Sequence, residues 1–306
     1  MSNSQSFPRA LPLIFDLYRD SAIGVVGCWS RGLQRDSCEL DVLVAGDSRK
    51  PPATVNLKGT VVDLIFVDEK EVLSPRDPEK SVAIALMKPV KDSSLIFSTA
   101  MAAQGAVLAD SMKKSASFRL GLALKALGRA EEALEGGRPP EADFWAQACA
   151  FDFARAFLYT KETMPAPSHL FSQMKGRSVG AAKSFEAFVK GASLGAASRE
   201  ACRMRLEGVG VLYDGQLSSA TRAEGPGWGE ERLETVKTKV EQLSRSKEHS
   251  ESFSFLGQEM VAAMSSMGLP LGETLVADLG LTRTRDAVER TIPLLKSQVS
   301  ALARRL

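Results

Sequence analysis

The sequence predicts an α+β chain: a strand-rich domain with a few helices over about residues 1–110, then an all-helical domain over residues 111–306. Three observations predict it. Before residue 110, short β-branched and apolar runs (IGVV, LDVLV, TVVDLIFV) alternate with turn-forming stretches such as GDSRKPPATVNLKG and LSPRDPEK. After it, apolar residues recur at intervals of three and four in segments too long for strands. Between them in importance stands the run from Val25 to Val44, VVGCWSRGLQRDSCELDVLV, where a strand, a glycine turn and a second strand carry acids in an alternating pattern.

In chain order, a first helix is expected from about Arg9 to Arg19, with Pro12 in its first turn and Leu11, Ile14, Phe15 and Tyr18 on one face. Strands follow at Ile23–Val26, across Glu39–Val44 and at Thr60–Val67. A helix is expected over about Glu79–Met87, and Leu95–Phe97 reads as a short closing strand. Helices are then expected from about Ser111 to Glu135, Glu141 to Lys161, Val179 to Lys190 and Ala196 to Tyr213. Gly136-Gly137-Arg138-Pro139-Pro140 separates the first two, and Pro165 and Pro167 end the second. Residues 216–229, containing Gly-Pro-Gly-Trp-Gly, read as a loop or linker. Beyond it Leu233, Val236, Val240 and Leu243 form an apolar stripe that either packs on the bundle or pairs two copies of the chain as a homodimer. A last helix is expected from about Thr291 to Arg305, with Pro293 in its first turn or at a kink. Gly208-Val209-Gly210 reads as a site of close helix packing.

The candidate site is made of carboxylates. Side chains two apart on a strand share a face, with Cα atoms about 7 Å apart, so Glu39 and Asp41 point the same way while Leu40 and Val42 enter a core. Asp63 lies inside an apolar run, where a carboxylate is costly unless paired or bound to a metal. If its strand neighbours that of Asp41, three hard oxygen donors suit Mg²⁺ or Mn²⁺ holding a nucleoside triphosphate. Two such ions about 4 Å apart would stabilise the attacking and leaving oxygens of phosphoryl or nucleotidyl transfer, with Asp63 orienting the nucleophile or receiving its proton. The alternative for Glu39 and Asp41 is the solvated face of a hairpin.

These residues resemble the DNA polymerase β-like nucleotidyltransferase superfamily, in its small stand-alone and antibiotic-modifying branches. Its Gly-Ser turn corresponds to Gly27-Cys28, its Arg-Gly pair to Arg31-Gly32, its Ser-Asp-x-Asp to Cys38-Glu39-Leu40-Asp41, and its third Asp to Asp63. The match covers roughly the first third of the chain. It implies a mixed sheet with flanking helices, a catalytic and metal-binding set of Glu39, Asp41 and Asp63, Mg²⁺ or Mn²⁺ as cofactor, and an NTP as substrate. A nucleoside monophosphate would pass to an acceptor, either a small molecule, a protein side chain or an RNA end, with release of pyrophosphate. Gly27, Cys28 and Arg31 would hold the nucleotide, Arg31 being either a phosphate contact or a surface ion-pair residue. Two departures stand out: the Cys28 thiol is a weaker donor than a serine hydroxyl, and Glu39 is one methylene longer than aspartate at a site where Mg²⁺ demands near-octahedral geometry. They support the alternative of a catalytically weakened, antitoxin-like binding or regulatory module.

In the helical domain, Lys175 either meets the triphosphate or is a helix-end charge, and His169 reads as a packing or helix-start residue. A net charge of +2 gives no argument for nucleic acid or a membrane surface. No run has the apolar length to cross a bilayer, and the N-terminus lacks the pattern of a signal peptide. Cys28, Cys38, Cys149 and Cys202 form no metal-ligand spacing and fit reduced thiols in a cytoplasmic protein. Two histidines argue against a triad or multi-histidine metal centre. Phosphate-binding GxxxxGK[ST] and GxGxxG loops are absent. These exclusions favour chemistry done by carboxylates and metal.

Overall fold

The computed structural model describes residues 9–35, 38–46, 53–218, 230–267, 273–281 and 283–306. It divides into two compact units. The first comprises residues up to Met112 together with 230–235; the second comprises the rest, from Lys113 onward and again from Val236 to Leu306. The part of the expected linker at 219–229 lies outside the described residues, and 216–218 complete a helix.

The first unit holds α1 (Leu11–Leu17), β1 (Ile23–Val25), α2 (Gly27–Ser30), β2 (Leu40–Ala45), β3 (Ala53–Leu57), β4 (Thr60–Val67), α3 (Glu69–Leu73), α4 (Pro78–Ala85), β5 (Lys88–Lys91) and α5 (Ile96–Ala106). The five strands form one mixed sheet in the order β3-β4-β2-β1-β5. β2 and β4 run parallel; every other neighbouring pair is antiparallel. β3 and β4 join through Lys58-Gly59, both at positive φ, the geometry a two-residue hairpin loop requires. Alternation along the strands then divides the core. Leu40, Val42, Val44, Val62 and Leu64 pack with Leu11 and Ile14 of α1 on one face, while Leu43, Ala45 and Val67 pack with Val72, Ile84 and Phe97 of α3, α4 and α5 on the other.

Three expectations change here. Leu95–Phe97 is not a strand: Leu95 stands at φ 58°, and the Asp92 carboxylate accepts the backbone N–H groups of Phe97 (3.1 Å) and Ser98 (2.7 Å), satisfying the exposed donors at the start of α5. The closing strand is β5, at an edge of the sheet where Pro89 loses no necessary ladder bond. Glu39 lies one residue before β2 rather than inside it.

The second unit is helical: α6 (Leu108–Glu135, most of it here), α7 (Pro139–Tyr159), α8 (Leu170–Arg177), α9 (Ala182–Gly191), α10 (Arg199–Ser218), α11 (Glu230–Arg245, from Val236 here), α12 (His249–Met267), α13 (Glu273–Asp278) and α14 (Arg285–Ala303). Val236, Val240 and Leu243 are buried, and Lys239 caps the Phe255 ring of α12 at 4.6 Å, so the α11 stripe is spent on packing within the chain. α14 begins six residues earlier than Thr291, capped by the Thr284 hydroxyl on Ala287 N–H, which leaves Pro293 inside it. At Gly208 any Cβ would lie 3.0 Å from the backbone of Asp278, the close approach of α10 to α13 that the glycine permits. Among the described residues no helix is long and apolar enough to cross a membrane.

Candidate active site

The parallel pairing of β2 and β4 decides where the acids go. Asp41 stands in register with Asp63 on the neighbouring strand, so both carboxylates leave the same face of the sheet side by side. Glu39, two residues before Asp41, joins them: one carboxylate oxygen from each of the three lies within 4.8 Å of the others, and all three residues are partly exposed. Thr54 on β3 is in register with Asp63 on that strand's other side, and its hydroxyl donates to Asp63 Oδ1 at 2.7 Å. A row of Thr54, Asp63 and Asp41 thus crosses three adjacent strands.

Gly27 forms the wall next to Asp41. Its φ of +70° lies in the left-handed region, and a Cβ there would fall 2.0 Å from Asp41 Oδ2 and 3.0 Å from Asp41 Cγ. Only glycine satisfies both the turn and the carboxylate beside it. The preceding residue anchors the turn to the strand, Val26 N–H donating to the Asp41 carbonyl at 3.0 Å. Arg31 folds back over α2 and donates through Nε to the Gly27 carbonyl at 2.9 Å.

Cys28 is buried and its sulfur lies within 4.8 Å of that of Cys38. The hydrogen bond with Cys38, then burial, then the negative charges of Asp41 and Glu39 all push its thiol well above the ordinary range. It is a neutral thiol beside the acids. Cys28 and Cys38, which stand where the Gly-Ser and Ser-Asp-x-Asp patterns have serines, therefore form one buried pair.

Sequence reasoning missed Arg232. Its guanidinium reaches Asp63 Oδ2 at 3.5 Å, both side chains largely shielded, and residues 230–235 group with the first unit rather than with the helical region expected to contain them. No local signal marks an arginine about 170 residues from its partner; the pairing is tertiary. Thr54 was missed for a different reason, because β3 lay hidden in a stretch read as a turn. Lys175 is an exposed residue in the last turn of α8, and His169 is buried in the short turn before that helix, its carbonyl accepting the Ser172 hydroxyl at 3.1 Å. Both belong to the second unit.

The donor set fits a hard divalent cation. Three carboxylates so close repel one another unless a cation or proton intervenes, and each keeps oxygen lone pairs suited to Mg²⁺ or Mn²⁺. Comparison with known proteins adds little. No family model and no curated protein matches the chain. A solved structure, a nucleotidyltransferase-like protein from Exiguobacterium sibiricum 255-15, aligns over 97% of this chain and 91% of its own at 14% identity, with a TM-score of 0.37. A score so low does not establish a shared fold, and the functional reading rests on the carboxylate geometry.

Proposed function

We propose that the first unit transfers a nucleoside monophosphate from an NTP to an acceptor, releasing pyrophosphate in a metal-dependent reaction. One observation carries the reading: Asp41 and Asp63 stand in register on parallel strands, with Glu39 within 4.8 Å and a glycine turn that leaves Asp41 its space. In this reaction an acceptor oxygen or nitrogen forms a bond to the α-phosphorus as the bond between that phosphorus and the β-phosphate bridge oxygen breaks. The acceptor's proton leaves, and pyrophosphate departs with the bonding electrons. Glu39, Asp41 and Asp63 would hold a divalent cation, whose positive charge would attract the triphosphate and offset charge on the departing oxygen.

The protein's own groups divide the remaining work. Asp63, fixed through Oδ1 by Thr54, orients the attacking group and takes its proton. Asp41 and Glu39 would hold the cation, and Gly27 leaves Asp41 the space to do so. Arg31, at the turn, meets phosphate. Arg232 offsets the charge of Asp63 while the nucleotide is away and faces the polyphosphate once it arrives.

A second reading has its own support. The Arg232–Asp63 ion pair and the buried Cys28–Cys38 pair suit a domain that binds nucleotide without turning it over. The deciding experiment incubates the full chain with each NTP and Mg²⁺ or Mn²⁺ while following pyrophosphate release and self-labelling, with small-molecule, protein and RNA acceptors supplied. Pyrophosphate release abolished by Asp63→Asn supports transfer. Metal-dependent NTP binding without turnover supports the second reading, and the absence of NTP binding defeats both.

A further inference from the structure

We propose that the second unit carries a ligand site of its own, for a small phosphomonoester with an aromatic or other planar apolar body. A cavity of about 470 Å³ opens between α6, α7 and α12, within the size range of small-molecule sites. Arg119, Leu122, Ala126 and Arg129 face it from α6 at three- and four-residue steps, one helical stripe. α7 contributes Trp145, Asp152 and Arg155, and α12 contributes Gln258.

The cationic groups are held in place before any ligand arrives. Arg119 and Arg155 both donate to the same oxygen of Asp152, at 3.0 and 3.3 Å. Arg155 also donates to Gln258 Oε1 at 2.8 Å, and the Gln258 amide is in turn fixed on the carbonyls of Pro167 (2.9 Å) and Ser254 (3.2 Å). Both guanidiniums belong to side chains that line the cavity, and each is only 22% exposed, where charge interactions are stronger than in water. Lys125 and Arg129 add two more cations at the rim, so four cations and one carboxylate line the space. That surplus favours a dianion such as a phosphomonoester at neutral pH, which accepts paired guanidinium donors. Trp145, already under the Arg129 guanidinium at 4.4 Å, supplies a planar wall for the ligand's body. A salt bridge serving packing alone needs neither the cavity nor the rim charges.

The test is calorimetric titration of the full chain in EDTA with phenyl phosphate, inorganic phosphate and benzyl alcohol. Phenyl phosphate is expected to saturate one site with a dissociation constant of about a millimolar or tighter. Inorganic phosphate should bind more weakly for want of the ring, and benzyl alcohol should not saturate. Arg155→Met should weaken phenyl phosphate about tenfold or more. The rim variant Lys125→Met/Arg129→Met should weaken it several-fold and flatten its salt dependence, while Asp63→Asn leaves it unchanged. If Arg155→Met fails to fold, the rim variant decides, since its residues are exposed. No saturable binding by wild type, unchanged affinity in the rim variant, or loss of binding in Asp63→Asn would overturn the proposal.

Discussion

Gly27→Ala separates a structural role from a catalytic one, because the structure supplies its own control. The new methyl meets two obstacles. At φ +70° an L-residue pays about 1–2 kcal/mol. The Cβ would also fall 2.0 Å from Asp41 Oδ2, so the carboxylate must swing away, at about 0.5–1.5 kcal/mol for leaving its rotamer. The main chain cannot retreat instead without losing the Val26 N–H bond to the Asp41 carbonyl. The expected destabilisation is therefore about 1.5–3.5 kcal/mol. Gly59→Ala isolates the first obstacle: Gly59 has φ +83°, but nothing lies within 4 Å of its added Cβ. It should cost about 1–2 kcal/mol. Chemical denaturation measures both costs, and the thermal shift produced by Mn²⁺ with NTP measures what happens to the site. Gly27→Ala should lose most of that shift and Gly59→Ala should keep it. Equal destabilisation and equal shifts in the two variants would refute the claim that Gly27 is there to make room for Asp41.

Four further outcomes are expected. Asp41→Asn should raise metal-free melting temperature by relieving repulsion among the three acids, and should abolish the shift given by Mn²⁺ and NTP, both read by thermal denaturation. Arg232→Met should tighten Mn²⁺ binding in the absence of nucleotide, because it removes a competitor for Asp63, yet lower turnover if Arg232 serves the polyphosphate; Mn²⁺ titration and pyrophosphate release read the two effects separately. In the second unit, Arg283 holds the fully buried Asp143 through Nε at 2.7 Å and the carbonyls of Lys190 (2.8 Å) and Gly191 (3.1 Å), so Arg283→Met should cost about 3–5 kcal/mol in urea denaturation, with Asp143→Leu/Arg283→Met recovering much of it. Burial raises the thiols of Cys149 and, to about 11, Cys202, while the Cys38 contact and burial raise Cys28. A raised thiol keeps its proton in the fold longer than in the unfolded chain, so these groups stabilise the fold fully below about pH 9 and progressively less above it; slow reaction with a thiol reagent at pH 8, and denaturation midpoints falling above pH 9, are the expected readings.

What was legible in the sequence was whatever local pattern fixes. Alternation along LDVLV and TVVDLIFV specified two buried strands, and a face shared by Glu39 and Asp41 follows from the same two-residue period. Edge strands were hidden because their rules differ: Pro89 sits comfortably in β5 where a central strand would exclude it, and the half-buried β3 follows a run of turn formers. α5 was hidden by Asp92, whose carboxylate starts a helix from four residues away despite an apolar Leu-Ile-Phe run that reads as a strand.

The site divides the same way. Its carboxylates were legible because Asp41 and Asp63 lie on strands whose register the hydrophobic pattern sets, and Glu39 immediately precedes one of them. The groups that govern those carboxylates were not, since Thr54 depends on the β3–β4 register and Arg232 on a distant helix. This bears on how the departures at Cys28 and Glu39 act. Cys28 cannot replace a serine hydroxyl facing phosphate while its sulfur is engaged with Cys38 in the interior. In the proposed reaction the phosphate contacts of a serine would fall to cations instead, and Arg31 and Arg232 are the arginines this unit places at the turn and at Asp63. Glu39 precedes β2 rather than belonging to it, and from there its longer side chain brings a carboxylate oxygen within 4.8 Å of those of Asp41 and Asp63. Glu39→Asp should therefore lower metal affinity by drawing the oxygen back from Asp41 and Asp63; a gain in affinity or turnover would mean that the glutamate is a defect in the site rather than a fitted part of it.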